Sequence, residues 1–280
     1  MARRSVLFAP ADKPDLLHKT LRTDADVVVF DLEDAVAPAR KAAAREAVAE
    51  VLADIDDPGA EVVVRVNPGV AAGADLDAVS AGSLPDALML PKAESAAAVE
   101  GLAERASEHG ATLPVFAIAE TAAGVLHAED IAAADPTTAL VFGAEDLSAD
   151  VGATRTRDGR EVDHARQQVV LAAAAAGVDA LDTLVTDYEA DDHLREDAAL
   201  SRQLGYDGKL AIHPRQVPII NDAFTPDPER VEWAQRVLDA RDAADADDRG
   251  VFAVDGEMID APLVAQAERV VERARAGGIL

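Results

Sequence analysis

Eight short runs of β-branched and aliphatic residues recur along the chain, each followed by an alanine-rich stretch long enough for a helix. The runs predict strands near 5–9, 26–31, 61–66, 86–90, 114–119, 138–142, 179–184 and 208–212. Helices are predicted near 13–22, 38–53, 74–81, 95–109, 122–133, 161–176, 190–204 and 214–222. Pro38 suits a first helical turn, and Ser95 and Gly110 suit the start and stop of the fourth helix. The runs are apolar on both faces, as strands covered on both sides must be. Strict strand–helix alternation predicts a parallel sheet. The turn after the first run, Pro10-Ala11-Asp12-Lys13-Pro14, is not the glycine-rich phosphate turn of an open doubly wound sheet. The expected architecture is therefore α/β, a (β/α)8 TIM barrel over residues 1–240. A chain of 280 residues, 49% hydrophobic, has enough apolar material for one such core. Residues 241–280 read as an acidic linker, Arg241 to Gly250, then a short segment and a helix from about Pro262 to Arg275.

Composition narrows the chemistry. There is no cysteine, which excludes disulfides, thiolate nucleophiles and cysteine metal sites. The six histidines show no ligand spacing for zinc. With 53 acidic and 26 basic residues the net charge is −27, so nucleic acid is not an expected partner. No apolar run reaches the roughly 18 residues needed to cross a membrane. The basic start at Arg3-Arg4 leads an apolar run too short for a signal peptide, so a cytoplasmic location is expected.

Barrels of this kind place function at the C-terminal ends of the strands. Those ends carry Asp31, Glu33 and Asp34 after the second run, Arg65 and Asn67 after the third, and Lys92 after the fourth. They continue with Glu120, then Glu145 and Asp146, then Asp182 on the seventh run, and His213-Pro214 after the eighth. Carboxylates without cysteine or clustered histidine suit a hard, oxygen-bound cation, with Glu120 and Asp146 as the leading pair. Arg65 also suits simple neutralisation of the Asp31, Glu33 and Asp34 group. A Schiff base on Lys92 needs a desolvated amine, which nothing in the sequence indicates. No G-x-S-x-G, Walker loop or G-x-G-x-x-G is present.

At these positions the chain resembles the citrate lyase β-chain / malyl-CoA lyase family. The likeness runs through Arg4 to Pro14, Phe30 to Pro38, Val64 to Asn67, Leu90-Pro91-Lys92, Ala119-Glu120-Thr121, Gly143 to Leu147, Ile212 to Gln216 and Met258 to Pro262. The resemblance implies a Mg2+-dependent lyase, with Mn2+ as a substitute, that makes or breaks a carbon–carbon bond next to a CoA thioester. Glu120 and Asp146 would hold the metal, and Arg65 would act in catalysis and bind substrate oxygens. Asp31, Glu33 and Asp34 would support the metal's waters. Asp260, in a C-terminal helical lid segment, would serve as acid/base in a neighbouring subunit of a homotrimer or homohexamer. Lys13, Lys19 and Pro214 are the expected CoA contacts, and Arg3 and Arg4 are candidates for the same positive patch. A citrate lyase β subunit inside a larger complex, or a malyl-CoA thioesterase, shares the pattern.

An excess of like charge repels itself in dilute buffer and is screened in concentrated salt. The melting temperature is expected to rise between dilute and molar potassium chloride in a thermal scan. A flat response would remove the inference of adaptation to high salt.

Overall fold

The computed structural model describes residues 2–55, 58–246 and 251–280. Eight strands follow the predicted order: β1 (Ser5–Pro10), β2 (Val27–Asp31), β3 (Glu61–Arg65), β4 (Ala87–Leu90), β5 (Val115–Ala119), β6 (Thr137–Phe142), β7 (Asp179–Asp182) and β8 (Gly208–Ala211). Each pairs in parallel with its sequence neighbour, and β1 pairs with β8, so the sheet closes into a barrel. Around it lie α1 (Pro14–Thr20), α2 (Lys41–Asp54), α3 (Ala72–Val79), α4 (Ala96–Glu108), α5 (Ala122–Leu126), α6 (Ala128–Ala132), α7 (Ala144–Asp150), α8 (Asp163–Ala176), α9 (Asp191–Leu204) and α10 (Gln216–Phe224).

Side chains alternate across the wall, as the period of a strand requires. Val6, Val27, Val29, Val63, Met89, Phe116, Ile118, Val141, Leu181 and Leu210 share one buried cluster inside the barrel. The intervening residues, among them Val28, Phe30, Val64, Leu88 and Leu140, are equally buried on the other face of the wall.

Local signals explain most helix boundaries. Ser95 caps α4 by accepting from the Ala98 amide, and Gly110, at φ +82°, ends it. Pro38 opens a 3-10 turn, Pro38–Arg40, from which α2 continues. The single helix predicted over 122–133 is broken at His127 into α5 and α6. The short α7 was not anticipated from the sequence.

Two compact units emerge, Arg3–Asn221 and the part from Asp222 onward. The second contains α11 (Pro228–Ala246), a hairpin of β9 (Phe252–Val254) and β10 (Glu257–Ile259), and α12 (Ala261–Ala276). Ala234, Val237, Val254, Ile259, Ala267 and Val271 form its core. Asp255 and Gly256, at φ +52° and +87°, make the two-residue turn of the hairpin. The acidic linker starts later than the sequence suggests: Arg241–Ala246 continues α11, with Ala244 buried and Arg241 paired to Glu268. Residues 247–250 lie outside the described residues. No helix among the described residues is long and apolar enough to cross a membrane.

Two sequence expectations need correction. Arg3 binds Glu61 and Asp179, and Arg4 binds Asp26. All five lie at the N-terminal ends of strands, so these arginines clamp the rim opposite the predicted site and supply no patch for it. Asp182 belongs to the outward-facing set on β7. It is fully buried and bound by Arg166, by Lys209 at 3.3 Å and by Ser201 at 2.5 Å. Lys209 also reaches Asp197 at 2.5 Å and the Thr183 carbonyl at 2.6 Å. Burial works against the Asp197 carboxylate, but the charges of Lys209 and Arg166 outweigh it and hold its pKa at about 2. This network ties β7 and β8 to α8 and α9.

Removing one partner from such a network strands the other charges without water. Lys209→Met is expected to cost about 3–5 kcal/mol in chemical denaturation. A loss below 1 kcal/mol would show that the network is solvated.

Candidate active site

The same alternation locates the site. One step beyond the apolar filling, the inward-facing positions are Pro10, Asp31, Arg65, Glu120, Gly143, Thr183 and Ile212. All seven line one cavity of about 400 Å³ at the C-terminal ends of the strands, together with Asp34 and Asp146. A larger cavity of about 840 Å³ lies beside α9 and the loop before α8; it shares Glu145, Thr183 and Leu184 with the first, but Asp31, Asp34, Arg65, Glu120 and Asp146 do not line it.

Asp31 and Arg65 are register partners on β2 and β3. Arg65 grips Asp31 through Nε at 2.7 Å and Nη2 at 2.6 Å, and its third nitrogen lies 3.2 Å from Glu33. The Asp31 oxygens also accept from the Glu33 and Ala35 amides, at 2.8 and 3.2 Å, which folds the loop after β2 over the barrel mouth. Burial disfavours the Arg65 guanidinium, but Asp31, Glu33 and Glu120 outweigh it and raise its pKa above the ordinary value. The guanidinium also lies over the Phe8 ring at 5.1 Å. A further clamp was not anticipated: Lys41 donates to the carbonyls of Leu32 and Glu33 and to Asn67 Oδ1, all within 2.7 Å.

Glu120 follows β5 and is 3% exposed. Its Oε1 accepts from the Lys92 amide at 2.8 Å. Space for it depends on Gly143, where a Cβ would lie 2.5 Å from Glu120 Cβ and 2.7 Å from Oε2. Burial, then the charge of Asp146, push its pKa up to about 7, against the pull of the Lys92 amide, Arg65 and Lys92. Asp146 stands in the first turn of α7 rather than on the sixth strand, half-buried.

Lys92 departs from β4 with φ +51°, a left-handed backbone rare for a residue with a side chain. Its ammonium lies 2.7 Å from Glu33, 3.7 Å from Asp34 and 4.0 Å from Asp146. Burial works against its charge, yet Glu33 foremost, with Glu120 and Asp34, holds its pKa above the usual lysine value. A raised lysine pKa is the reverse of what a Schiff-base nucleophile needs.

Other predicted residues lie elsewhere. Lys13 and Lys19, at the two ends of α1, are exposed, as is Pro214 after β8, and none of the three lines the cavity. His213 beside Pro214 stacks on Tyr188 with ring centres 4.7 Å apart. Asp260 belongs to the C-terminal unit, exposed at the start of α12, where it caps the Leu263 amide at 3.3 Å. Gly143 and Thr183, whose hydroxyl accepts from the Ala144 amide at 3.1 Å, escaped the sequence reading. Counting in twos from the apolar residues of each strand identifies both, and places Asp182 on the opposite face.

The folded pKa of Glu120 is raised from 4.5 to about 7, so the folded state holds a proton that the unfolded chain releases. With no added ligand, stability is therefore expected to fall as pH rises from about 4.5 through about 7. Glu120→Gln should remove that fall and gain about 3 kcal/mol at pH 8 by denaturant titration, from a shift of 4.5 to about 7 at about 1.4 kcal/mol per pKa unit. Parallel pH profiles for the two proteins would refute the buried carboxylate.

Comparison with known proteins gives the family. Residues 4–214 match the model of the HpcH/HpaI aldolase/citrate lyase family. The chain is 42% identical over 275 residues to the citrate lyase subunit beta-like protein of Mycobacterium tuberculosis, covering 96% of this chain and 94% of that protein. It is 34% identical over 291 residues to the mitochondrial citramalyl-CoA lyase of Rattus norvegicus, covering 97% and 86%. The crystal structure of CitE from M. tuberculosis in complex with magnesium, acetoacetate and coenzyme A superposes with a TM-score of 0.81 at 41% identity, covering 98% of each chain. The chain belongs to the HpcH/HpaI aldolase/citrate lyase family.

Proposed function

We propose that this chain is a Mg2+-dependent carbon–carbon lyase of CoA thioesters. Its substrate would be a 3-hydroxyacyl-CoA such as malyl-, β-methylmalyl- or citramalyl-CoA, cleaved to, or formed from, a 2-oxo acid and an acyl-CoA. One observation carries the reading: Glu120 and Asp146 face one cavity, and burial together with the charge of Asp146 outweighs the nearby cations and raises the Glu120 pKa to about 7. Two carboxylates beside an open cavity fit a hard divalent cation that takes its remaining ligands from water and substrate. Mn2+ suits the same oxygens. The M. tuberculosis CitE complex with magnesium, acetoacetate and coenzyme A and the citramalyl-CoA lyase of the rat support this choice.

Bound there, the metal would act as a Lewis acid toward the hydroxyl or keto oxygen and the neighbouring carboxylate of the substrate. The protein's own groups do the rest. Arg65, fixed by Asp31, presents its charge to the oxygen on which negative charge grows as the carbon–carbon bond breaks. Asp34, which lines the cavity, would orient the metal's waters, with Asp31 and the buried Glu33 behind it. Phe8, Leu184 and Ile212 supply the apolar wall that keeps bulk solvent from the thioester enolate. Asp260 of a neighbouring subunit, in a homotrimer or homohexamer, returns the proton to the α-carbon. Lys13 and Pro214, which follow β1 and β8 at the C-terminal rim, are the CoA contacts of this reading, whereas Lys19, in the last turn of α1, lies toward the opposite rim.

A panel of CoA thioesters with Mg2+ in concentrated potassium chloride, read by mass spectrometry, tests the proposal. A 2-oxo acid plus an acyl-CoA is the expected pair. A free hydroxy acid plus CoA would instead identify a thioesterase, and turnover of carrier-bound thioesters alone a subunit of a citrate lyase complex. Glu120→Gln and Asp146→Asn should each lower turnover by about a hundredfold to a thousandfold. Both should also blunt the response to Mg2+. Undiminished turnover in EDTA would end the metal reading.

A further inference from the structure

Lys92 is the residue on which the strongest unexplained observations converge. Of the two non-glycine residues with positive φ among those described, Asp255 is accounted for by its hairpin turn, whereas Lys92 has no hairpin to serve. Its left-handed backbone brings off two contacts at once: the amide meets Glu120 at 2.8 Å, and the ammonium turns back to Glu33 at 2.7 Å. Only Glu33 lies within hydrogen-bond distance of the ammonium. Asp34 and Asp146 stand further off, at 3.7 and 4.0 Å, so the ammonium is hydrogen-bonded to Glu33 while still close enough to offset the charge of the other two. An ammonium is a compact point charge with rotatable donors on a flexible stem, suited to such sharing. The opposing cation, Arg65, is held in two-point contact with Asp31 and is not free to play this part.

We propose that Lys92 is a positioning residue that serves as a built-in counter-ion: its ammonium neutralises Glu33, Asp34 and Asp146 while no cation is bound, and so holds down the affinity of the site for a divalent ion. This rests on the reading of Glu120 and Asp146 as the metal pair. The consequence is that removing a cation from the site makes it a better metal site. A merely structural lysine would have the opposite effect, since loosening the loop would weaken metal binding together with stability.

The test is calorimetric titration of the full-length chain with Mg2+ at fixed pH and ionic strength, for the wild type, Lys92→Gln, Lys92→Gly and Lys92→Arg. Glutamine removes the charge and keeps a donor for Glu33. Glycine removes the charge and relaxes the left-handed backbone, which guards against a folding defect. Both should bind Mg2+ on the order of tenfold more tightly, the effect of one unit charge on a divalent ion a few ångströms away in a water-like dielectric. Lys92→Arg should match the wild type. The metal-free glutamine variant should also melt lower than the wild type and gain more from saturating Mg2+. Equal or weaker Mg2+ binding by the glutamine and glycine variants, with a wild type that does bind, overturns the counter-ion role alone. A wild type that binds no Mg2+ overturns the metal pair itself.

Discussion

Asp31 and Arg65 occupy the last paired positions of β2 and β3, on the face whose lower residues fill the barrel with valine. At that layer the packing changes from apolar contact to a two-point charged hydrogen bond, the strong form of such a contact. Nearly everything above it is hung from this pair. Asp31 also holds the amides that shape the loop after β2. That loop carries Glu33, which binds both Arg65 and Lys92, and the Lys92 amide aligns Glu120. Loss of either partner would strand the other's charge at a depth with little water to fall back on.

The protein uses buried ionic chemistry on both faces of one wall, with opposite outcomes. Outside, Asp182 and Asp197 meet Arg166 and Lys209, and every charge finds a partner between strand and helix. Inside, Glu120 and Asp146 repel each other across a cavity. The first arrangement stores nothing and only fastens helices to the barrel. The second leaves a carboxylate raised by burial and by a like charge beside a cavity, the pattern of a candidate functional site, whereas the structural ion pairs shift Asp197 the opposite way.

The barrel was legible because eight apolar runs of strand length alternate with helical stretches and the turn after the first lacks the glycines of the rival open doubly wound sheet. Glu120, Arg65 and Asp31 were legible as polar residues at strand ends. Asp182 looked the same and proved structural, since position along a strand does not say which face a side chain takes. Gly143 could not announce itself as a residue needed for space, because the crowding comes from Glu120, distant in sequence. The backbone of Lys92 and the reach of Lys41 to Asn67 are likewise tertiary facts, without a local signature. The breaks at His127 and the extension of α11 to Ala246 reflect packing and ion pairs that override local composition.

The chain's lone tryptophan, Trp233, lies in α11, partly buried against the C-terminal core and covered by the Arg230 guanidinium at 3.7 Å. Its emission therefore reports on the smaller unit, and the barrel is spectroscopically dark at that wavelength. A fluorescence melt and a far-ultraviolet dichroism melt thus follow different parts of the molecule, and any gap between the two curves measures directly how far the units unfold as one.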